Sequence, residues 1–345
     1  MRRVSLATEC EIRPYRQEDE PEVLDLLGRA LGGGPTGSRQ PGSFRWKHFE
    51  NPFGPSYMLV AEQDGRIVGL RAFMRWRFRS REGSVRAVRA VDTATHPDHR
   101  GRGIFSRLTS EAVAGISGDS ELIFNTPNEQ SLPGYLKMGW RPVGTVPVSI
   151  RVRRPWRFLA GVASVGSPEA GSSPRPSIEA EHALEALSDP ALATLLDAAD
   201  MDADGRLRTP RDATYLRWRY GLAPMLDYRA VRLHQGDALA GLAMFRVHPR
   251  GRLQEGVVCE LIVRPGDGET ARYLLGRVVR AGNVDHLACH FAPGSTAARA
   301  VRRAGFLRTP RGMTFIVNPI GESSAARHAD EIDAWALTLG DLEVF

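Results

Sequence analysis

The sequence predicts an α/β fold with a mixed α+β sheet, built as two tandem domains of the same kind. Three observations support this prediction. Strand and helix patterns alternate over the first 150 residues, the second half repeats landmarks of the first, and 345 residues suffice for two domains with separate cores. Apolar residues make up 42% of the chain and charged residues 25%, as in ordinary globular proteins.

In the first half, each element has its own local signal. The apolar spacing in "QEDEPEVLDLLGRAL" predicts a helix, and "SYMLVAEQDGRIVGLRAFMRWRFR" predicts a hairpin that turns at Asp64-Gly65. The strand "SVRAVRAVDTATHP" is followed by a loop and a helix from Ile104 to Ile116. "ELIFN" predicts a short buried strand, Pro133 breaks the helix in "NEQSLPGYLKMG", and "WRPVGTVPVSIRV" is expected to close the unit as a strand.

A change of composition separates the two halves. "RPWRFLAGVASVGSPEAGSSPRPS" loses periodicity and gains Gly, Ser and Pro, which indicates a linker. We therefore expect a first domain over residues 1–153, a linker over 154–178, a second domain over 179–320 and a docking tail over 321–345. The tail is expected to pack on a domain because apolar residues recur in "DEIDAWALTLGDL".

The second half repeats the first at a spacing of 172 residues that drifts to 166. Trp46 matches Trp218, Gly69-Leu70 matches Gly241-Leu242, and Gly139-Trp140 matches Gly305-Phe306. Several matches in order favour a duplicated domain over chance. The copies differ at two segments: "HPDHRGRGIF" becomes "RPGDGETARY", and Gly294 and Val301 stand where the first copy has Asn128 and Tyr135.

Composition argues against several classes of function. The net charge of +6 is almost all arginine, without a basic run interleaved with aromatics, so no nucleic-acid partner is expected. No apolar run approaches the roughly 20 residues that span a bilayer, so no membrane partner is expected. Three separated cysteines favour neither a disulfide framework nor a zinc site, and no metal is expected. No apolar segment follows the N-terminal arginines, and the expected location is the cytoplasm.

The loop "HPDHRGRGIF" combines charge with backbone freedom. Glycines at 101 and 103 permit left-handed backbone angles, and the following helix directs its free amides toward the loop. Together with Arg100 and Arg102 this suits a phosphate, although "RGRG" also occurs in plain solvated turns.

The wider context resembles the GNAT superfamily of acyl-CoA-dependent N-acetyltransferases. The run from Arg100 to Phe105 looks like their acetyl-CoA signature, and Asn128, Ser131, Tyr135 and Gly139-Trp140 are similar to a second pattern of the superfamily. The resemblance covers residues 10–150 by motif and 180–320 by architecture. The ending "WALTLGD" is similar to the ends of other tandem acetyltransferase-like proteins.

The resemblance implies acetyl-CoA as the acyl-donor cosubstrate. Pantetheine would pair with the strand edge from Asp92 to Thr95, the pyrophosphate would sit on the amides of Gly101 to Phe105, and Asn128 would contact the cofactor arm. The implied cofactor-binding residues are Thr93, Ala94, Thr95, Arg100, Gly101, Arg102, Gly103, Ile104, Phe105, Asn128 and Ser131.

The implied reaction is direct attack of a neutral amine on the thioester, promoted chiefly by positioning. By resemblance, Tyr135 is the general acid that protonates the departing thiolate. For the general base we consider an ordered water first, Asp92 second and the C-terminal carboxylate of Phe345 third. Tyr135 also fits a core tyrosine, Asn128 a helix N-cap, and Asp92 a structural partner of an arginine. Phe105 departs from the signature, which usually has Gly or Ala there.

The sequence thus predicts an N-acetyltransferase that acts on a primary amine of a small molecule, such as an amino sugar, an aminoglycoside-like compound or a natural-product amine. The second copy would shape the acceptor pocket or a homodimer surface. Two alternatives stay open: a non-catalytic acyl-CoA sensor, and an acyltransferase that modifies protein lysines or uses longer acyl chains.

Overall fold

The computed structural model describes residues 10–31, 40–163, 180–200, 205–321, 326 and 328–342. These residues form one twelve-stranded mixed sheet in the order β1-β2-β3-β4-β5-β12-β6-β11-β10-β9-β8-β7. The strands are β1 (Glu11–Pro14), β2 (Tyr57–Gln63), β3 (Arg66–Ser80), β4 (Gly83–Thr95), β5 (Leu122–Asn125), β6 (Arg141–Val152), β7 (Glu181–His182), β8 (Tyr228–Gln235), β9 (Ala238–Arg250), β10 (Leu253–Val263), β11 (His286–Cys289) and β12 (Leu307–Pro319).

Helices cover the sheet on both faces. They are α1 (Glu20–Leu31), α2 (Pro41–His48), α3 (Ile104–Ile116), α4 (Leu132–Lys137), α5 (Pro155–Ala163), α6 (Ala183–Ala186), α7 (Leu192–Asp200), α8 (Ala213–Leu216), α9 (Gly268–Ala281), α10 (Thr296–Arg303) and α11 (Leu339–Leu342). One apolar cluster joins α1, α2, α7, α8 and the tail across both halves. Separate clusters lie under α3 and α4 and under α9 and α10. No helix in these parts of the chain is long and apolar enough to cross a membrane.

The local elements of the first half match their sequence signals. Helix α3 has the predicted bounds, and the β2–β3 hairpin turns at Asp64 and Gly65, which both have positive φ. A Cβ on Gly69 would lie 2.8 Å from Ile104, and one on Gly241 would lie 2.8 Å from Leu274. Each glycine therefore admits the helix that follows in its own half, so these two matched positions have the same packing role.

The last strand of each half joins the sheet of the other half. Strand β12 pairs with β5 of the first half, strand β6 pairs with β11 of the second, and β6 and β12 pair with each other at the centre. The segment "WRPVGTVPVSIRV" is a strand as predicted, but it does not close the first unit by itself. Its partners are remote in sequence, and residue alternation identifies a strand without identifying its neighbour.

Two tryptophans join the halves symmetrically. Trp46 and Trp218 stack with ring centroids 5.0 Å apart, and each indole Nε1 donates to the backbone carbonyl of the other residue, at 2.9 and 3.0 Å. Because each residue satisfies the other's polar groups, both can be buried at this junction.

The tail lies across both halves. Thr338 bridges to Phe291 beside β11, and the carbonyl oxygens of Asp341 and Leu342 each accept a hydrogen bond from Arg89 of β4 at 2.7 Å. Phe345, the third candidate for the general base, lies outside the described residues. So does most of the predicted linker, but its first part forms α5, although the sequence shows no clear periodicity there.

Candidate functional site

The loop between β4 and α3 presents a row of backbone amides. Gly101 and Gly103 have φ of 77° and 78°, and the first helical bond of α3 runs from Arg107 N to Gly103 O. Among the described residues, the amides of residues 101–105 have no hydrogen-bond partner. Unpaired amides at the start of a 13-residue helix form an anion-binding position.

Charged side chains flank this loop at the surface. Arg100 donates to the carbonyl of Ala30 at the end of α1, and Arg102 is exposed. Phe105, the residue that departs from the signature, packs against helix α4. Its ring lies 5.5 Å from that of Tyr135, and a Cβ on Gly134 would lie only 3.0 Å from it. The departure is therefore accommodated by a glycine in the facing helix.

The strands on either side of the loop separate. Parallel pairing of β4 and β5 ends at Arg89 and Phe124, while β4 continues to Thr95 with only β3 beside it in the described chain. The predicted residues Thr93, Ala94 and Thr95 thus lie on a strand edge that pairs with no strand on the β5 side in the described chain. Such an edge can hydrogen-bond an extended ligand as an additional strand would.

Asp92 occupies a β-bulge at this edge with φ of 42°. Its Oδ2 accepts from Lys47 Nζ at 2.7 Å and lies 2.9 Å from His48 Nε2. Burial would raise the pKa of Asp92, but the Lys47 charge and the His48 hydrogen bond outweigh it and hold that pKa well below its usual range. The carboxylate is held by lysine and histidine rather than by an arginine, and it is a weak proton acceptor.

Tyr135 is a buried residue of α4, and its hydroxyl faces an arginine of β3. Arg71 Nη1 donates to Tyr135 Oη at 2.8 Å and to Thr93 Oγ1 at 2.5 Å. Because the guanidinium can only donate, the phenol oxygen accepts this bond and keeps its own proton for another acceptor. The structure thus brings Tyr135 and Thr93 together through Arg71, and Tyr135 lies in the apolar cluster that α3 covers.

Asn128 and Ser131 shape the start of α4. Asn128 Oδ1 accepts from the amide and from the hydroxyl of Ser131, both at 2.9 Å. The N-cap of α4 is Ser131 and not Asn128, and the exposed Asn128 side chain instead holds the turn that precedes the helix. Pro133 lies in the first turn of the short helix, where the missing amide is tolerated, so it does not kink the helix below Tyr135.

Sequence reasoning missed three residues of this site. Arg71 is fully buried, His48 is fully buried, and Lys47 is one of only two lysines in the chain. A charge within the apolar run "IVGLRAF" was the one available signal for Arg71. The frequency of arginine throughout the chain concealed it.

In the second half, side chains of the protein itself accept hydrogen bonds from the amides of the corresponding loop and helix start. The loop between β10 and α9 has only residues 264–267, and Asp267 caps α9 by accepting from the amide of Thr270 at 2.9 Å. The amide of Gly266 donates to Thr296 Oγ1 at 3.1 Å. A cavity of about 980 Å³ lies there, lined partly by Glu260, Phe291 and tail residue Thr338. It reaches Arg79, eight residues and about 26 Å along β3 from Arg71.

Comparisons with known proteins agree with this geometry. The family profile described as acetyltransferase (GNAT) domain matches residues 11–143. No curated protein matches the chain significantly.

Solved structures match nearly the whole chain at low identity. A conserved protein of unknown function from Enterococcus faecalis, described as a probable N-acyltransferase, is 13% identical with a TM-score of 0.61 over 91% of this chain and 73% of its own. A GCN5-related N-acetyltransferase from Anabaena variabilis is 14% identical with the same TM-score and coverage. Eis1 from Mycobacterium abscessus is 17% identical with a TM-score of 0.55, over 94% of this chain and 76% of its own.

These likenesses support the fold over both halves, and the profile match identifies the first half. The resemblance inferred from the motifs is therefore confirmed for the first half, where residues 11–143 match the acetyltransferase (GNAT) domain.

Proposed function

We propose that this protein transfers an acetyl group from acetyl-CoA to a primary amine of a small molecule by direct attack. The observation that carries the proposal is the row of amides at residues 101–105, which lie beside the β4 edge and have no hydrogen-bond partner within the described residues. The same half keeps Tyr135, whereas the second half has capped its helix with Asp267 and has Val301 in place of the tyrosine.

The residues present fit the cosubstrate at two points. A pyrophosphate needs several convergent donors, and the amides of residues 101–105 supply them next to Arg100 and Arg102. An extended amide-containing arm needs an unpaired strand edge, and β4 offers one from Ala90 to Thr95. When bound, acetyl-CoA would supply the activated thioester.

The reaction needs two proton transfers, and a side chain is assigned to only one of them. Tyr135 keeps a proton that it can donate to the departing thiolate, because Arg71 occupies only the acceptor side of its oxygen. The attacking amine must be neutral. Asp92 is held ionised by Lys47 and His48 and retains little basicity, so we assign amine deprotonation to water.

The proposal keeps the partners expected from the sequence. The acceptor is a soluble amine rather than a nucleic acid or a membrane component, and no metal takes part. The protein would act in the cytoplasm, and its second half would shape the acceptor pocket or a homodimer surface. These expectations rest on composition and on the resemblance.

The test is thiol release from acetyl-CoA across a panel of amino sugars, aminoglycosides and other primary amines, with titration calorimetry of coenzyme A in parallel. We expect micromolar binding, on the order of most enzyme substrates, and amine-dependent release that is lost in Tyr135→Phe. Binding without turnover on any amine would favour the sensor alternative. Turnover only with lysine peptides or with longer acyl chains would reassign the substrate.

A further inference from the structure

Arg71 uses only part of its hydrogen-bonding capacity. Its side chain is completely buried, and Nη1 makes both of its bonds, to Tyr135 and Thr93. Nε and Nη2 are also buried and have no hydrogen-bond partner in the part of the chain that the structure describes. In a guanidinium these two N–H groups lie along one edge and form a fork that matches an oxygen acceptor.

Aromatic rings account for only part of this burial. The guanidinium carbon lies 4.5 Å from the ring centre of Phe73, 5.4 Å from that of Tyr135 and 6.0 Å from that of Trp140. Ring faces stabilise the charge of the cation. They provide no acceptor for the in-plane donors Nε and Nη2, and a buried donor without an acceptor costs free energy.

The second half shows that the fold does not need this arginine. At the positions of Arg71, Thr93 and Tyr135 it has Ala243, Leu261 and Val301, which lie together in one apolar cluster. The aromatic neighbours persist, because Phe73 corresponds to Phe245 and Trp140 to Phe306, also in that cluster. The copy without the open loop has thus lost the polar set and kept the packing, which ties Arg71 to function.

We propose that the Nε/Nη2 edge of Arg71 binds the carbonyl oxygen of the acyl thioester and stabilises the oxyanion formed during transfer. This inference rests on the proposed function and adds a catalytic residue to it. The sulfur and the oxygen of a thioester are bonded to one carbon, so their two donors must lie close together. Tyr135 Oη and the guanidinium meet this condition, since Nη1 is 2.8 Å from Oη.

The step balances without a further reactant. The amine nitrogen bonds to the carbonyl carbon, and the π pair moves to the oxygen, where Arg71 donates two hydrogen bonds. Collapse of the oxyanion re-forms the carbonyl and breaks the carbon–sulfur bond. The thiolate takes the proton of Tyr135 Oη, solvent returns a proton to the phenolate, and water removes the excess proton of the amine. Arg71 remains protonated throughout.

Infrared spectroscopy tests the contact without turnover. Acetyl-CoA labelled with ¹³C at the carbonyl is bound to the wild-type protein and to Arg71→Met, and the carbonyl stretch is compared. We expect a lower stretching frequency on the wild type, because two donors polarise the bond, and loss of that shift in Arg71→Met. Coenzyme A lacks the thioester carbonyl, so we expect it to bind wild type and Arg71→Met with equal affinity. Equal affinity also shows that the variant is folded.

A double-mutant cycle separates this role from positioning of Tyr135. Arg71→Met should lower kcat about 100-fold, as removal of an oxyanion donor does. It should lower kcat by a similar factor in a Tyr135→Phe background. An arginine that acts only through the tyrosine would cause no further loss there, and that result would overturn the proposal. Arg246→Met, which removes a buried arginine of β9, serves as the matched control and should leave kcat unchanged.

If Arg71→Met does not fold, Arg71→Lys replaces it. Lysine keeps the charge but not the fork, so we expect an intermediate loss of about tenfold in kcat. Wild-type turnover with an equal carbonyl frequency in wild type and variant overturns the Arg71 proposal and leaves the proposed function standing. Absence of acetyl-CoA binding to the wild type overturns both.

Discussion

The two halves of this protein share a fold but differ in what fills the opening of their sheets. In the first half, β4 and β5 separate beside a loop with free amides, and Arg71 and Tyr135 meet above the strand. In the second half, β10 and β11 separate at the same place, but Asp267 caps the helix. The second half can therefore serve as an internal control: features present in both halves serve the fold, and features present in one half alone point to function.

The retained features are structural by this criterion. Gly69 and Gly241 admit a helix against the sheet, and Trp46 and Trp218 satisfy each other's indole and carbonyl groups. Equivalent substitutions at such positions should have equal effects in the two halves. At the positions where the halves differ, only substitutions in the first half should affect activity.

The largest asymmetry is expected at two buried tyrosines. Tyr135 accepts from Arg71 at 2.8 Å, and Tyr228 accepts from Arg219 at 2.8 Å. Tyr135→Phe should lower kcat about 100- to 1,000-fold, because the thiolate loses its proton donor. Tyr228→Phe should leave kcat unchanged. Both should cost about 2 kcal/mol of unfolding free energy for the lost hydrogen bond from a charged guanidinium. Thiol release and urea unfolding measure the two quantities, and a similar loss of kcat in both variants would contradict the assignment.

A second asymmetry concerns the two loops. Gly101 and Gly266 have φ of 77° and 79°, so aspartate introduces the same backbone strain at either position. Gly101→Asp also places a negative charge among the free amides. It should weaken coenzyme A binding on the order of 30- to 100-fold, roughly 2–3 kcal/mol.

Gly266→Asp is the matched control and should bind coenzyme A with wild-type affinity in titration calorimetry. Equal weakening in both variants would show that the strain, and not the charge at the anion site, determines the loss.

Local elements could be predicted from the sequence because their signals are local. The bounds of α3 follow from apolar periodicity, and the hairpin turn follows from the tolerance of Asp64 and Gly65 for positive φ. The central pairing of β6 with β12 could not be predicted. Both strands have ordinary alternation, and their partners lie more than 100 residues away.

The site residues that belong to a sequence motif could be predicted. The residues whose role depends on their burial in the fold could not. Glycines 101 and 103 are informative because positive φ favours glycine and because a second pattern follows from Asn128 to Trp140. Arg71 and Lys47 are charged residues whose sequence neighbours do not reveal that they are buried. Their roles emerge only when the strands and α2 bring Tyr135 and Asp92 to them.

The tryptophan pair tests the shared part of the comparison. Trp46→Phe and Trp218→Phe each remove one indole N–H that donates to a buried backbone carbonyl of the other residue. Each should cost about 2 kcal/mol of unfolding free energy, and the two costs should agree within about 0.5 kcal/mol, since the contacts are reciprocal. Chemical denaturation provides the measurement. A clearly larger cost at one position would show that the junction is not symmetric in energy.

The smallest expected effect concerns Asp92 and Glu260, two carboxylates at equivalent positions. Their contributions to the unfolding free energy should depend on pH in opposite ways. Lys47 and His48 hold the pKa of Asp92 below its ordinary value. Burial raises the pKa of Glu260 despite Arg211, which lies 3.2 Å away. As the pH falls below about 4, the unfolded chain protonates Asp92 before the folded protein does, and the stability from this residue is lost. At Glu260 the folded protein binds the proton first, so stability is gained as the pH falls toward about 4.5.

Asp92→Asn and Glu260→Gln should therefore change their costs in opposite directions. The unfolding free energy lost in Asp92→Asn should shrink between pH 5 and pH 3, and that lost in Glu260→Gln should grow between pH 7 and pH 4.5. Urea titrations at these pH values measure both. Because neutral His48 is buried and its lowered pKa also costs stability below about pH 6.5, each variant is compared with the wild type at the same pH. If the unfolding free energy lost in the two variants changes in the same direction with pH, the two halves hold these carboxylates in the same charge state. That result would contradict the predicted difference between Asp92 and Glu260.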